Sequence, residues 1–110
     1  MNTRIQGSLV AIVTPMTERG ALDLRTFDRL LDWHIESGTD AIVVVGTTGE
    51  SATLSPAEHC ELVSHCVSYV NHRIPVVAGT GSNNTHEALE FTSDAVSSGA
   101  DAALLVTPYY

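Results

Sequence analysis

Four apolar runs divide the chain into units of similar length. They are SLVAIV (8–13), AIVVV (41–45), PVVAG (75–79) and AALLV (102–106), and they begin 33, 34 and 27 residues apart. Each run is nearly continuous in Val, Ile, Leu and Ala, which is typical of strands covered on both faces of a parallel sheet. The runs and their spacing therefore predict a repeated strand–helix unit.

The three segments between these runs carry helix signals. The clearest is Ser55-Pro56-Ala57-Glu58, where Ser55 caps, Pro56 suits the first helical position and Glu58 completes a capping box. The predicted helices run from a cap at Asp23 to Gly38, from Ser55 onward, and from Asn84 or Thr85 to Gly99. Their apolar stripes are Leu24, Phe27, Leu30, Leu31 and Ile35 in the first, and Ala88, Leu89, Phe91, Ala95 and Val96 in the third.

The resulting order, β-α-β-α-β-α-β, belongs to the α/β class. It builds either a doubly wound sheet or a (β/α)8 TIM barrel. A barrel takes about 250 residues, so 110 residues would supply about half of one. We expect residues 1–110 to be the N-terminal half of a single barrel domain, truncated after its fourth strand.

Composition excludes several classes of protein. Hydrophobic residues make up 44% of the chain, yet no apolar run approaches the roughly 20 residues of a membrane span. The N-terminus lacks the charged-then-apolar plan of a secretory signal, so we expect a cytoplasmic protein with no membrane partner. A net charge of −8 argues against nucleic acid as a partner. All five basic residues are arginines, and the chain contains no lysine.

The loops that follow the predicted strands hold the candidate site, because parallel α/β folds place their sites at the carboxyl ends of strands. These loops are Thr14-Pro15, Gly46-Thr47-Thr48-Gly49-Glu50, Gly79-Thr80-Gly81-Ser82-Asn83-Asn84 and Thr107-Pro108-Tyr109-Tyr110. Glycines bring backbone amides close to a ligand, and amides near a helix start hold a small carboxylate. From the loop residues alone, a plain glycine-rich turn is equally consistent. Neither glycine-rich loop matches a nucleotide-binding motif.

Histidines and cysteines give no metal site by their spacing. His59 and His65 lie in HCELVSHC, a spacing that scatters them around a helix instead of converging on zinc. We expect both to be solvated or to face a partner. Cys60 and Cys66 point to different faces of the same helix, so we expect free thiols rather than a disulfide.

Together, GSLVAIVTPM (7–16), VVVGTTGESATLS (43–55), RIPVVAGTGSN (73–83) and LLVTPYY (104–110) resemble the dihydrodipicolinate synthase family. The resemblance covers essentially the whole chain and implies a TIM barrel with class I aldolase chemistry, this chain providing strands 1–4 and helices 1–3. It implies condensation of pyruvate with aspartate semialdehyde in lysine and diaminopimelate biosynthesis, through a Schiff base on a lysine. No cofactor is expected, and the Schiff-base lysine must lie outside this chain. The chain alone is therefore expected to be inactive.

Site residues follow from the same resemblance. Thr47 matches the threonine of the family's proton relay, and Thr48 matches the neighbour that helps to hold the pyruvate carboxylate. Tyr110 matches a tyrosine that reaches into the partner subunit's site, and Tyr109 stacks in the dimer interface. The resemblance thus implies a homo-oligomer, either a dimer or a tetramer made of two dimers.

A second set of residues matches the family's L-lysine feedback site. These residues are Ser51, Ala52, His59, Asn83, Glu87 and Tyr109, whereas Pro56 departs from members that carry histidine there. Two other readings stay open from the sequence. One is another pyruvate aldolase of the superfamily, such as a sialic acid lyase, and the other is a non-catalytic half-barrel that dimerises.

Overall fold

The computed structural model describes residues 4–110 and contains four strands alternating with three helices. The strands are β1 (Leu9–Ala11), β2 (Ala41–Val44), β3 (Val76–Gly79) and β4 (Ala102–Leu104). The helices are α1 (Leu24–Glu36), α2 (Pro56–Val70) and α3 (Thr85–Ser98), and a short 3-10 turn spans Ser51–Thr53. The predicted order of elements is confirmed, and each apolar run contains one strand.

The sheet is parallel and its strands lie in chain order, β1-β2-β3-β4. In a doubly wound sheet, the order in which strands are added reverses at a switch point, whereas a barrel adds each strand beside the one before it. Every residue of β2 and β3 is buried, as the continuous apolar runs predict. The architecture is therefore a half-barrel of the (β/α)8 type, with β1 and β4 at its edges.

Helix α2 begins as the sequence predicts. The Ser55 hydroxyl accepts from the Glu58 amide at 3.1 Å, and the Glu58 carboxylate accepts from the Ser55 amide at 2.9 Å. Both bonds satisfy amides that the first helical turn leaves without partners. At the other two helices, the Asp23 side chain accepts from the Thr26 backbone amide and the Asn84 side chain accepts from the Glu87 backbone amide.

The apolar stripe predicted for α3 is only partly correct. Phe91 and Ala95 are buried, but Leu89 and Val96 are 66% and 72% exposed. Residues 91 and 95 lie one helical turn apart and pack inward, whereas residues 89 and 96, two turns apart, share a different face. That face of α3 carries apolar side chains that this part of the chain does not cover.

Helices α1 and α2 are joined by polar contacts on their outer sides. Asp28 pairs with His65, and the Tyr69 hydroxyl donates to Asp32 at 2.6 Å. That hydrogen bond is the main reason why the pKa of Tyr69 is raised and the pKa of Asp32 lowered. His65 is half-buried and pairs with Asp28, so of its two predicted environments full solvation is wrong, and contact with a partner stays a prediction.

Both thiols are free, and their pKa values are raised. Burial raises the pKa of Cys66 to about 12, and burial followed by a contact with Asp94 raises that of Cys60 to about 11. Both thiols are therefore protonated at neutral pH. Within residues 4–110, none of the helices has the length and apolarity that a membrane span requires.

Candidate functional site

A cavity of about 390 Å³ opens at the carboxyl ends of β2, β3 and β4. Its lining residues are Val45, Gly46, Thr47, Glu50, Ser51, Ala52, Gly79, Gly81, Leu104, Val106 and Tyr109. This first cavity lies where parallel α/β folds place their sites, and it brings the two predicted glycine-rich loops together. It combines apolar walls with one threonine hydroxyl, three glycines and one carboxylate.

Thr47 enters the first cavity from a tight turn. The Glu50 amide donates to the Thr47 carbonyl at 2.9 Å, and Glu50 itself adopts a left-handed backbone with φ of 60°. The Thr14 hydroxyl donates to the Gly49 carbonyl at 2.7 Å, a buried bond that ties this turn to the loop after β1. Thr14 belongs to the predicted loop after β1. It supports the turn that carries Thr47 through this hydrogen bond and does not line the first cavity.

A second cavity of about 290 Å³ lies between this loop and α3. It is lined by Ser51, Ala52, Leu54, His59, Gly81, Ser82, Asn83, Glu87, Phe91 and Tyr109. All six residues predicted for a lysine site belong to this lining. Residues from four separate segments, namely 51–54, His59 on α2, 81–91 and Tyr109, therefore converge on one cavity.

His59 is the least expected member of the second cavity. Its side chain is buried and stacks on Phe91 with ring centroids 3.8 Å apart. Nε2 lies 2.8 Å from the Gly79 carbonyl, and because a carbonyl only accepts, Nε2 must carry the proton. The predicted solvation of His59 is wrong, since the ring of Phe91 on α3 covers it.

The remaining nitrogen of His59 is an unused acceptor. Nδ1 is buried, and within residues 4–110 it has no hydrogen-bond partner. Burial lowers the pKa of His59, so the ring stays neutral and Nδ1 keeps its lone pair. A buried acceptor without a partner is costly, and a ligand N–H could satisfy it.

Glu87 supplies a negative charge to the second cavity. The Ser82 hydroxyl donates to its carboxylate at 2.9 Å, and the Asn84 amide donates to the Ser82 hydroxyl at 3.1 Å. These bonds fix the carboxylate at the start of α3. Together with the unpaired nitrogen of His59, it favours a cationic N–H donor as ligand.

Of the other predicted site residues, Thr48 and Tyr110 do not line the first cavity. Thr48 is exposed and follows Thr47 in the loop. Tyr110 is fully exposed, with a left-handed backbone at φ of 68°. Tyr109 lines both cavities, and its ring lies 5.9 Å from that of Tyr110. Its position makes it a wall shared by the two cavities.

Sequence reasoning missed three apolar residues that line the first cavity. Val45 was predicted as the end of a strand, and Leu104 and Val106 as part of another. No sequence signal marks a strand residue as a cavity wall. Among residues 4–110, no group of His, Cys, Asp and Glu side chains could hold a metal ion.

Comparisons with known proteins give consistent matches. The model of the Dihydrodipicolinate synthetase family matches residues 4–110. A 4-hydroxy-tetrahydrodipicolinate synthase from Stutzerimonas stutzeri is 60% identical over 106 residues, which are 96% of this chain and 36% of the relative. The chain thus spans about a third of the length of such curated relatives.

Solved structures agree with the sequence matches. A chloride-inhibited dihydrodipicolinate synthase from Acinetobacter baumannii, complexed with pyruvate, is 56% identical with a TM-score of 0.94. The match covers 97% of this chain and 37% of that protein. A prophage protein of the dihydrodipicolinic acid synthase family from E. coli K12, also in complex with pyruvate, is 32% identical with a TM-score of 0.93, over 94% of this chain and 35% of that protein.

Proposed function

Because this chain belongs to the dihydrodipicolinate synthetase family, we propose that it forms the relay and carboxylate-binding part of a pyruvate-dependent synthase. The complete enzyme would condense pyruvate with aspartate semialdehyde for lysine and diaminopimelate biosynthesis. The single observation that carries this proposal is the first cavity, where Thr47 and the glycine-rich loops meet at the carboxyl ends of the strands.

The proposed chemistry divides between this chain and the rest of the enzyme. A lysine amine attacks the pyruvate ketone, the adduct loses water to give an imine, and the derived enamine attacks the aldehyde. Since this chain contains no lysine, that amine comes from another segment. Two pyruvate-bound relatives support pyruvate as the first substrate.

Thr47 would serve as a proton relay, and Thr48 would help to bind the pyruvate carboxylate. A hydroxyl both donates and accepts, which suits proton transfer between the imine adduct and a partner group. The carboxylate would rest against Thr48 and the glycine-rich loop amides, which lie close to a ligand because Gly46 has no side chain. Neither role requires a metal ion or an organic cofactor.

Tyr109 and Tyr110 would act at an interface between subunits. Tyr110 lines neither cavity, and its match to the family's interface tyrosine supports a role in the site of a partner subunit. Tyr109 would stack beside it. The proposed assembly is a homo-oligomer, either a dimer or a pair of dimers.

The second cavity would bind L-lysine as a feedback inhibitor. Glu87 would pair with a ligand ammonium group, and Nδ1 of His59 would accept from a ligand N–H. The shared wall at Tyr109 would connect this cavity to the site. Proline replaces histidine at position 56, so the affinity would differ from that of members that carry histidine.

A hybrid barrel tests the proposal. In it, this chain replaces the matching 37% of the Acinetobacter baumannii synthase. We expect borohydride with pyruvate to form a stable adduct on a lysine in the Acinetobacter baumannii part of the hybrid, detected by mass spectrometry. We also expect the hybrid to consume aspartate semialdehyde. An adduct within residues 1–110, or a folded hybrid that traps nothing, would contradict the proposal. The latter result would favour a non-catalytic module.

A further inference from the structure

Val45 interrupts the end of β2 with an unusual backbone conformation. It follows directly after Val44, is 1% exposed, and has φ of 50°. A β-branched residue is crowded in this left-handed region, because its Cβ approaches the carbonyl oxygen. Such a conformation persists only where the surrounding structure enforces it. The contacts around Val45 show what enforces it here.

Two glycines enclose the Val45 backbone. A Cβ added to Gly79 would overlap the Val45 carbonyl oxygen and lie 2.8 Å from its carbonyl carbon. A Cβ added to Gly49 would lie 3.2 Å from the Val45 Cα. Neither glycine has a positive φ, so close approach and not backbone torsion requires the absence of a side chain. We call this arrangement the Val45 clamp (Val45, Gly49 and Gly79).

Both glycines of the Val45 clamp are themselves anchored. The Gly79 carbonyl accepts from Nε2 of His59 at 2.8 Å, and the Gly49 carbonyl accepts from the Thr14 hydroxyl at 2.7 Å. Both bonds are buried, where a hydrogen bond is costly to break. The clamp therefore ties the bend to α2 on one side and to the loop after β1 on the other.

Thr47 follows the bend by two residues and shares a cavity wall with it. Val45, Thr47 and Gly79 all line the first cavity. The Glu50 amide donates to the Thr47 carbonyl and closes the short turn. What remains to be fixed is the direction in which this turn leaves β2. Val45 lies at the point where the turn leaves β2.

We propose that the Val45 clamp is the positioning element of the site: the close contact of Gly79 with Val45 aims the Thr47 hydroxyl into the first cavity. The proposal rests on the proposed relay role of Thr47, and it adds residues that touch no substrate. Misplacing a reacting group by about 1 Å can lower a rate by about 100-fold. A methyl group at residue 79 would displace Val45 by a similar distance.

A double-mutant cycle in the hybrid barrel separates positioning from general damage. We expect Gly79→Ala to lower kcat by about 10- to 100-fold, with a much smaller change in KM for pyruvate. In a Thr47→Val background the same change should cost almost nothing further, because the hydroxyl that it misplaces is already gone. Additive losses in kcat would overturn the proposal.

The matched control is Val70→Ala. Val70 is fully buried at the last position of α2, at the opposite end of the sheet from Thr47. It should lower the melting temperature and leave kcat unchanged in either background. If Val70→Ala reduced kcat as much as Gly79→Ala, loss of stability would explain both, and the proposal would fail.

A measurement that does not depend on enzyme activity distinguishes failure of the Val45 clamp proposal from failure of the proposed function. In a hybrid barrel with labelled threonine methyl groups, Gly79→Ala should shift the Thr47 methyl resonance, and Val70→Ala should not. If the parent hybrid lacks activity, the proposed function fails, and this resonance still decides the positioning. If Gly79→Ala does not fold, Gly49→Ala replaces it, because its added Cβ meets neighbours at a milder 3.1–3.2 Å. An unmoved Thr47 resonance in the folded variant would overturn the clamp.

Discussion

His59 makes the stability of the molecule depend on pH. Its pKa in the folded state is lowered from the ordinary 6.5, chiefly by burial, so the unfolded chain binds a proton at this residue more readily than the folded one. Stability rises with pH wherever the unfolded state binds more protons. The contribution of His59 is therefore complete above pH 6.5 and is lost as pH falls below that value.

We expect this loss to disappear when residue 59 no longer titrates. Urea unfolding of the hybrid barrel at several pH values between about 5 and 8 should show a steeper fall in unfolding free energy for the parent than for His59→Gln. Glutamine keeps an N–H that can donate to the Gly79 carbonyl. Parallel pH profiles for the two proteins would assign the dependence to other groups.

Thr47→Val in the hybrid barrel tests the relay directly. Valine keeps the shape of threonine and removes the hydroxyl, so kcat should fall by about 10²–10⁴-fold, the usual effect of losing an acid–base group. Thr53→Val is a matched control, because Thr53 is exposed, lines neither cavity, and its hydroxyl donates to the Glu50 carbonyl at the start of the 3-10 turn. Steady-state kinetics with both substrates provides the measurement. An unchanged kcat would reduce Thr47 to a turn residue.

For single residues, the sequence predicts the chemical role of a side chain better than its burial and contacts. The glycine-rich loops locate Thr47, but the left-handed bend at Val45 and the burial of His59 depend on Gly79 and Phe91, which lie on other elements. Such contacts exist only after the helices pack against the sheet. The local sequence pattern therefore predicted the wrong environment for His59 and did not indicate the bend at Val45.

Among the elements, helix ends were predictable because capping is local. Ser55, Pro56 and Glu58 form their motif within four consecutive residues, and the structure shows both of its hydrogen bonds. The stripe of α3 was less predictable, because helical spacing does not say which apolar face meets the sheet. Phe91 and Leu89 are both apolar, and only tertiary packing distinguishes them.

Removing the N-terminal cap of α2 should destabilise the hybrid barrel. We expect Ser55→Ala to lower the unfolding free energy by about 1 kcal/mol, because the Glu58 amide loses its acceptor. Ser64→Ala is the control, since Ser64 is exposed within the same helix and alanine favours helix. Chemical denaturation of the hybrid barrel measures both. Equal effects would show that the capping box contributes nothing.

Within residues 4–110, the sheet has two open strand edges. β1 and β4 each have one neighbour, and Leu9, Leu104 and Leu105 are among the exposed apolar residues beside them. Unpaired edges recruit other chains. The 110-residue chain alone should therefore associate in sedimentation experiments, whereas the hybrid barrel should form discrete species.

The exposed face of α3 is a competing cause of association. Leu89→Glu with Val96→Glu would place charges on that face and leave the strand edges unchanged. We expect this double variant to associate like the parent chain. If it becomes a well-folded monomer, the α3 face and not the strand edges drives association.

Tyr110 offers the sharpest test at the scale of the assembly. Its ring lies outside both cavities, and the proposed function assigns it to the site of a partner subunit. In hybrid barrels, Tyr110→Phe and Thr47→Val should each be nearly inactive. When the two proteins are mixed under conditions that allow subunit exchange, a mixed dimer contains one site with an intact Thr47 and an intact partner Tyr110. Random exchange makes half of the dimers mixed, each with one good site, so activity should recover to about a quarter of the parent. If Tyr110 served its own subunit, both sites of every mixed dimer would carry one defect, and mixing would restore nothing.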